Sequence, residues 1–149
     1  MTDVAFHFGA PDKVAYACRL LRKATATGAR VMLVANEHDL PALDAALWGV
    51  TPMDFITHAR GDAEPGLRDR SSVLLGTTAF VGASQPQILV NIADDVPDGF
   101  SQFARVIEIV STEEGDRNTA RLRWRHYAQQ GIVITRHDLQ LKASVASDR

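Results

Sequence analysis

The chain has 149 residues, 46% of them hydrophobic, and a net charge of −2. That length can bury one sizeable core and is short for two domains, so a single domain over residues 1–149 is expected. The lone cysteine, Cys18, excludes an internal disulfide, no Cys/His cluster has zinc-site spacing, and no apolar run nears the roughly 18 residues of a membrane span.

The start, Met1-Thr2-Asp3-Val4, lacks the basic opening and apolar stretch of a signal peptide, which predicts a cytoplasmic protein. Val4 to Phe8 reads as a first strand, broken by Gly9-Ala10-Pro11, and Asp12 is placed to cap a helix. In that helix Val14, Ala17, Cys18, Leu20 and Leu21 recur at three-to-four spacing, and Thr27-Gly28 stops it. Val31 to Ala35 is a continuous apolar run, the pattern of a strand buried on both faces of a parallel sheet. Pro41 fits the first turn of a second helix, where its missing N–H costs little, and that helix carries Leu43, Leu47 and Trp48.

Phe55-Ile56 reads as a short strand after a Thr51-Pro52 break, and Ala59 to Ser72 as a polar loop. Val73 to Leu75 and Ile88 to Ile92 are further strands, separated by a Gly/Ser/Thr-rich stretch, Gly76 to Gln87, with no assignable pattern. Phe100 to Ala104 reads as a short helix and Val106 to Val110 as a buried strand. Thr112, with Glu113 and Glu114 in the first turn, opens a final helix that runs to about Gln130. Strands alternating with helices predict a three-layer, Rossmann-like open sheet, mainly parallel, with helices on both faces.

The enzyme signatures expected on such a sheet are missing. The turn Phe8-Gly9-Ala10-Pro11-Asp12-Lys13 has neither the glycines of a dinucleotide loop nor the Gly-Lys-Ser/Thr ending of a phosphate loop, and no Gly-x-Ser-x-Gly elbow occurs. His7, His38, His58, His126 and His137 are scattered, with no i, i+4 pair, so each reads as a surface or hydrogen-bonded histidine. Asp94-Asp95 reads as a solvated carboxylate pair at a strand end, and Cys18 as a core residue. No catalytic residue, cofactor or metal is therefore expected.

Charge is unevenly spread. Residues 1–116 hold 9 Lys+Arg against 16 Asp+Glu, or −7, and residues 117–149 hold 7 against 2, or +5. A basic helix at the end of an acidic body is suited to an anionic partner. With Arg117 at zero on a helical wheel, Arg121 falls at about 40°, Arg125 at about 80° and Trp124 at about 340°. Three guanidinium groups thus line one stripe edged by an indole, while Ala120, Tyr127 and Gly131 are the candidates for core contact. Arginine forks match carboxylates bidentately, so an acidic peptide bearing an aromatic residue suits the stripe; a solvated basic face is the bland alternative. Residue types alone would send Trp48 and Phe55 to the core.

Two blocks carry a family resemblance. Leu43-Asp44-Ala45-Ala46-Leu47-Trp48, followed by Phe55 and His58, and Ala120-Arg121-Leu122-Arg123-Trp124-Arg125-His126-Tyr127, followed by Gly131, resemble the chi subunit of bacterial DNA polymerase III holoenzyme. The resemblance spans about two thirds of the chain; residues 60–87 and the tail after Asp138 match poorly, and about 138–149 are expected to form a flexible tail. It implies a Rossmann-type sheet without a nucleotide site and a non-catalytic accessory role: linking the clamp loader, through the psi subunit, to the acidic, Phe-ending C-terminal tail of single-stranded-DNA-binding protein. Carried over by position, Arg121, Trp124 and Arg125 would hold that tail, where the family more often has Tyr and Lys at the last two. Trp48 and Phe55 would lie on the face that receives psi or a helicase relative. Nucleic acid would be met only indirectly or weakly. The competing readings are a small nucleotide- or phosphate-handling enzyme using Asp94, Asp95 and His7 near the strand ends, and direct DNA binding through the basic helix.

Overall fold

The computed structural model describes residues 2–48, 58–60, 73–77 and 87–139. Its strands are β1 (Asp3–Ala10), β2 (Val31–Val34), β3 (His58–Arg60), β4 (Val73–Gly76), β5 (Ile88–Asn91), β6 (Arg105–Ser111) and β7 (Ile134–Asp138). Among the described residues the α-helices are α1 (Lys13–Ala26), α2 (Leu40–Trp48) and α3 (Glu114–Gln129). The strands form one seven-stranded sheet in the order β3-β4-β2-β5-β6-β1-β7, and every paired neighbour is parallel.

Period-two alternation sorts the strand side chains between two cores. Val31, Leu33, Val90, Ile107 and Ile109 face α1 and α2, meeting Ala17, Cys18, Leu21, Leu40 and Leu43. Val4, Phe6, Met32, Leu89, Val106 and Val110 face the other way, meeting Ala120 and Tyr127 of α3. The expected three-layer Rossmann-like architecture is therefore present. Right-handed crossovers explain which helix goes where: the chain leaves β1 in one direction along the sheet and β6 in the other, so α1 and α3 fall on opposite faces.

The caps follow the sequence in α1 and depart from it in α3. Asp12 accepts from the Ala15 N–H at 3.1 Å, and Gly28, at φ +87°, takes the left-handed turn after the helix that a side chain would resist. In α3 the N-cap is Glu113 rather than Thr112, and no side chain caps it; Glu114 and Asp116 occupy the first turn. Asp116 is engaged instead with the end of β6, accepting from the Ser111 N–H at 2.7 Å.

Other expectations are corrected. Ala59 and Arg60 belong to β3 rather than to a loop, because the strand hydrogen-bonds alongside β4. Phe55-Ile56 and most of the Gly76 to Gln87 stretch lie outside the described residues. Phe100–Gln102 forms a 3₁₀ turn rather than a longer helix. Gly131 does not reach the core: it is exposed, at φ +74°, and reverses the chain after α3. The chain then returns as β7, an edge strand parallel to β1 that ends at Asp138 and was not anticipated from the sequence; residues 140–149 lie outside the described residues.

Candidate functional site

The basic stripe on α3 is as the wheel arranges it. Arg117, Arg121 and Arg125 are exposed, and Arg121 donates from Nη1 to Asn118 Oδ1 at 2.7 Å, which holds it along the helix. Trp124 is half-buried. Its ring lies 5.0 Å from that of Phe6 and 6.2 Å from that of Phe8, so one side of the indole is fixed by packing. Phe6 in turn meets Tyr127, edge-on at 5.9 Å, which anchors the helix over β1.

Two further residues join this place. Phe8, on β1, stacks on Phe6, and the guanidinium of exposed Arg136, on β7, sits 4.5 Å above the Phe8 ring. Sequence reasoning missed both: β7 was not foreseen, and only pairing of β7 with β1, which sets Phe6 opposite Arg136, brings Arg136 to Phe8. Phe6, Phe8 and Trp124 thus form one aromatic cluster between β1 and α3, with the Arg136 guanidinium over Phe8 and exposed Arg121 and Arg125 on the same helix as Trp124.

Arg123, in the midst of the same run, does the opposite job. It is 2% exposed and donates from Nε to Glu108 Oε1 at 2.9 Å, and from Nη1 to the Asp94 carbonyl at 2.9 Å and Thr119 Oγ1 at 3.2 Å. Glu108, fully buried, also accepts from the Tyr127 hydroxyl at 2.7 Å and from Asn91 Nδ2 at 2.9 and 3.0 Å. Burial pushes the Glu108 carboxyl upward, against which Arg123, Tyr127 and Asn91 all act by favouring the carboxylate. Burial, then the nearby Glu108 charge, pushes the Tyr127 phenol up, so it stays a donor. The network ties α3 to β5 and β6 and thereby sets the orientation of the outer stripe.

The crevice at the carboxyl ends of the strands, where Rossmann-type sheets bind nucleotides, is built differently. It encloses about 470 Å³ and is bordered by Asp39, Asp94, Glu113 and Asp116, with Lys13 as its cation. Lys13 Nζ is already engaged, with Asp116 Oδ1 at 3.0 Å and the Ile92 carbonyl at 3.0 Å. Phosphate would meet carboxylates there with no uncommitted lysine. Nor does the structure assemble the trio of the competing enzyme reading: Asp94 borders this crevice, while His7 faces α1 and hydrogen-bonds Tyr16. Among the described residues no three His, Cys, Asp or Glu side chains are grouped to hold a metal.

Of the two residues that the resemblance assigns to a partner face, Trp48 is the last residue of α2 and Phe55 lies outside the described residues. No described helix is long and apolar enough to cross a membrane.

Residues 1–135 match the family model for the DNA polymerase III chi subunit, HolC. The chain belongs to the DNA polymerase III chi family. It is 35% identical over 126 residues to the DNA polymerase III subunit chi of Pseudomonas aeruginosa, an alignment covering 83% of this chain and 84% of that protein. Chi is thus a subunit of DNA polymerase III and a DNA replication protein. Two solved structures share its fold. The C-terminal domain of an S. cerevisiae Dbp5 variant, bound to a Gle1 variant and IP6, superposes with a TM-score of 0.58 at 15% identity, covering 91% of this chain and 90% of that one. A longer Dbp5 chain, bound to Nup159, Gle1, IP6 and ADP, gives 0.56 at 16% identity, covering 91% of this chain and 41% of that one. At such identity the likeness concerns the sheet and its helices alone.

Proposed function

We propose that this chi chain is a non-catalytic accessory subunit that links the clamp-loader complex, through psi, to the acidic C-terminal tail of single-stranded-DNA-binding protein. One observation carries the reading: Arg121 and Arg125 are exposed on α3, in a stripe edged by the half-buried indole of Trp124. Carboxylates of an acidic tail pair with the forks, while a terminal aromatic side chain packs on the indole, whose other side is held by Phe6 and Phe8. In this reading Trp48 and Phe55 are the residues that meet psi or a helicase relative, so that chi bridges two partners in the cytoplasm.

Calorimetry with an acidic peptide ending in Phe tests the tail site. Arg121→Ala and Arg125→Ala are each expected to weaken binding about tenfold, equivalent to about 1.4 kcal/mol, with an unchanged circular dichroism spectrum. Unchanged affinity in both variants refutes the assignment.

A further inference from the structure

A second basic surface lies on the opposite side of the sheet from α3. Between α1 and the strands β6, β1 and β7 runs a groove of about 640 Å³. It exists because α1, crossing from β1 to β2, packs over β6, β5 and β2, while β1 and β7 present only Ala5, His7 and His137 to the groove.

The lining has one sign of charge. Arg19, Lys23 and Arg105 border the groove, and no carboxylate does. All three cations are exposed and make no hydrogen bond or ion pair with the described residues. Arg19 and Lys23 stand one helical turn apart, about 6 Å along α1, and Arg105 faces them from the start of β6. At the other end three flat rings meet: His7 and His137 at 4.8 Å between centroids, and His7 and Tyr16 at 5.7 Å. Register sets the length. His7 lies opposite Ile109 and Asp3 opposite Arg105, so the rings and Arg105 are four strand residues apart, about 13 Å.

Spaced cations along one wall with planar rings at one end form the arrangement that takes single-stranded nucleic acid, with phosphates on the cations and bases on the rings. An acidic peptide would use the cations and leave the rings unoccupied. We propose that this α1 groove, and not the arginine stripe of α3, is a binding site for a short stretch of single-stranded DNA. The proposal does not rest on the tail-site reading, because no residue is shared between the two surfaces.

Fluorescence anisotropy of a labelled oligothymidylate with the full chain tests it, at low salt and without any second protein. Three neutralised phosphates give a log–log salt slope of about −2, and Lys23→Gln or Arg105→Gln each reduces it by about 0.7. Lys23→Glu combined with Arg105→Glu is expected to lower affinity more than tenfold. These positions are exposed, so folding is expected to be kept and is checked by circular dichroism. Arg121→Ala with Arg125→Ala leaves the affinity unchanged. No binding of the wild-type chain at low salt overturns the proposal, as does a loss that follows the α3 variants. A poly-glutamate peptide that binds in a Lys23- and Arg105-dependent way while the oligothymidylate does not would also overturn it, in favour of an acidic protein.

Discussion

Truncating Arg123 to alanine tests whether the buried network holds α3 in place. The guanidinium is 2% exposed and its partner Glu108 is 0% exposed, so the pair is shielded from the screening that makes surface ion pairs weak. Arg123→Ala keeps the Tyr127 and Asn91 donors to Glu108 but removes its counter-charge, leaving a carboxylate that burial already disfavours. Breaking one side of such a pair costs about 3–5 kcal/mol, a large share of the ~5–15 kcal/mol that stabilises a typical domain. For a chain of this size that is a fall of roughly 6–20 °C in Tm. Removing both charges, Glu108→Gln with Arg123→Ala, is expected to recover part of the loss, because the side-chain carbonyl introduced at position 108 still accepts from the Tyr127 hydroxyl. It also removes Arg123 Nη2, a buried donor with no partner in this structure. Urea denaturation followed by far-ultraviolet circular dichroism measures all four members of the cycle. A cost below about 1 kcal/mol for Arg123→Ala, or a double variant as unstable as the sum of the singles, would refute the reasoning.

Two other outcomes follow from the geometry. Burial raises the carboxyl of Asp116, but the Ser111 N–H and the Lys13 ammonium outweigh it and hold the group below its ordinary range. A depressed folded value gives stability that is present above the unfolded carboxyl range, near pH 4, and is lost as pH falls through the folded value. Asp116→Asn is therefore expected to be less stable than wild type at neutral pH, with the two converging in acid; parallel denaturation profiles from pH 7 to pH 2 would contradict this. Trp48→Ala is expected to abolish capture of the psi or helicase partner in a pull-down while acidic-peptide binding persists; an unfolded variant that loses both would place Trp48 in the core.

Much of the sheet was legible because its signals are local. The short runs Val31 to Ala35 and Val106 to Val110 read as buried strands and are strands, and the Asp12 cap and Gly28 stop bound α1 within one or two residues. The edge strands were not legible. His58–Arg60 and Ile134–Asp138 carry polar and charged residues, since an edge strand needs apolar packing less, and only pairing with β4 and β1 makes them strands. Within α3, the wheel separated Ala120 and Tyr127 from the arginine stripe correctly. Arg123, which falls at about 240° on the same wheel, was not singled out, although Glu108 was a signal for it: one carboxylate inside an otherwise apolar strand must find a partner.

The sequence by itself determined the Rossmann-like class, the absence of a glycine-rich phosphate loop, the membership of the chi family and the row of arginines beside Trp124. Those depend on spacing along a single element, which the chain carries in its own order. Tertiary structure alone decided that Arg123 is buried against Glu108 while Arg121 and Arg125 stay outside, and that Arg136 meets Phe8. It also decided that Arg19, Lys23 and Arg105 share a groove with two histidines. Each of those depends on which strands become neighbours, and a parallel sheet makes neighbours of segments as far apart as β1 and β6.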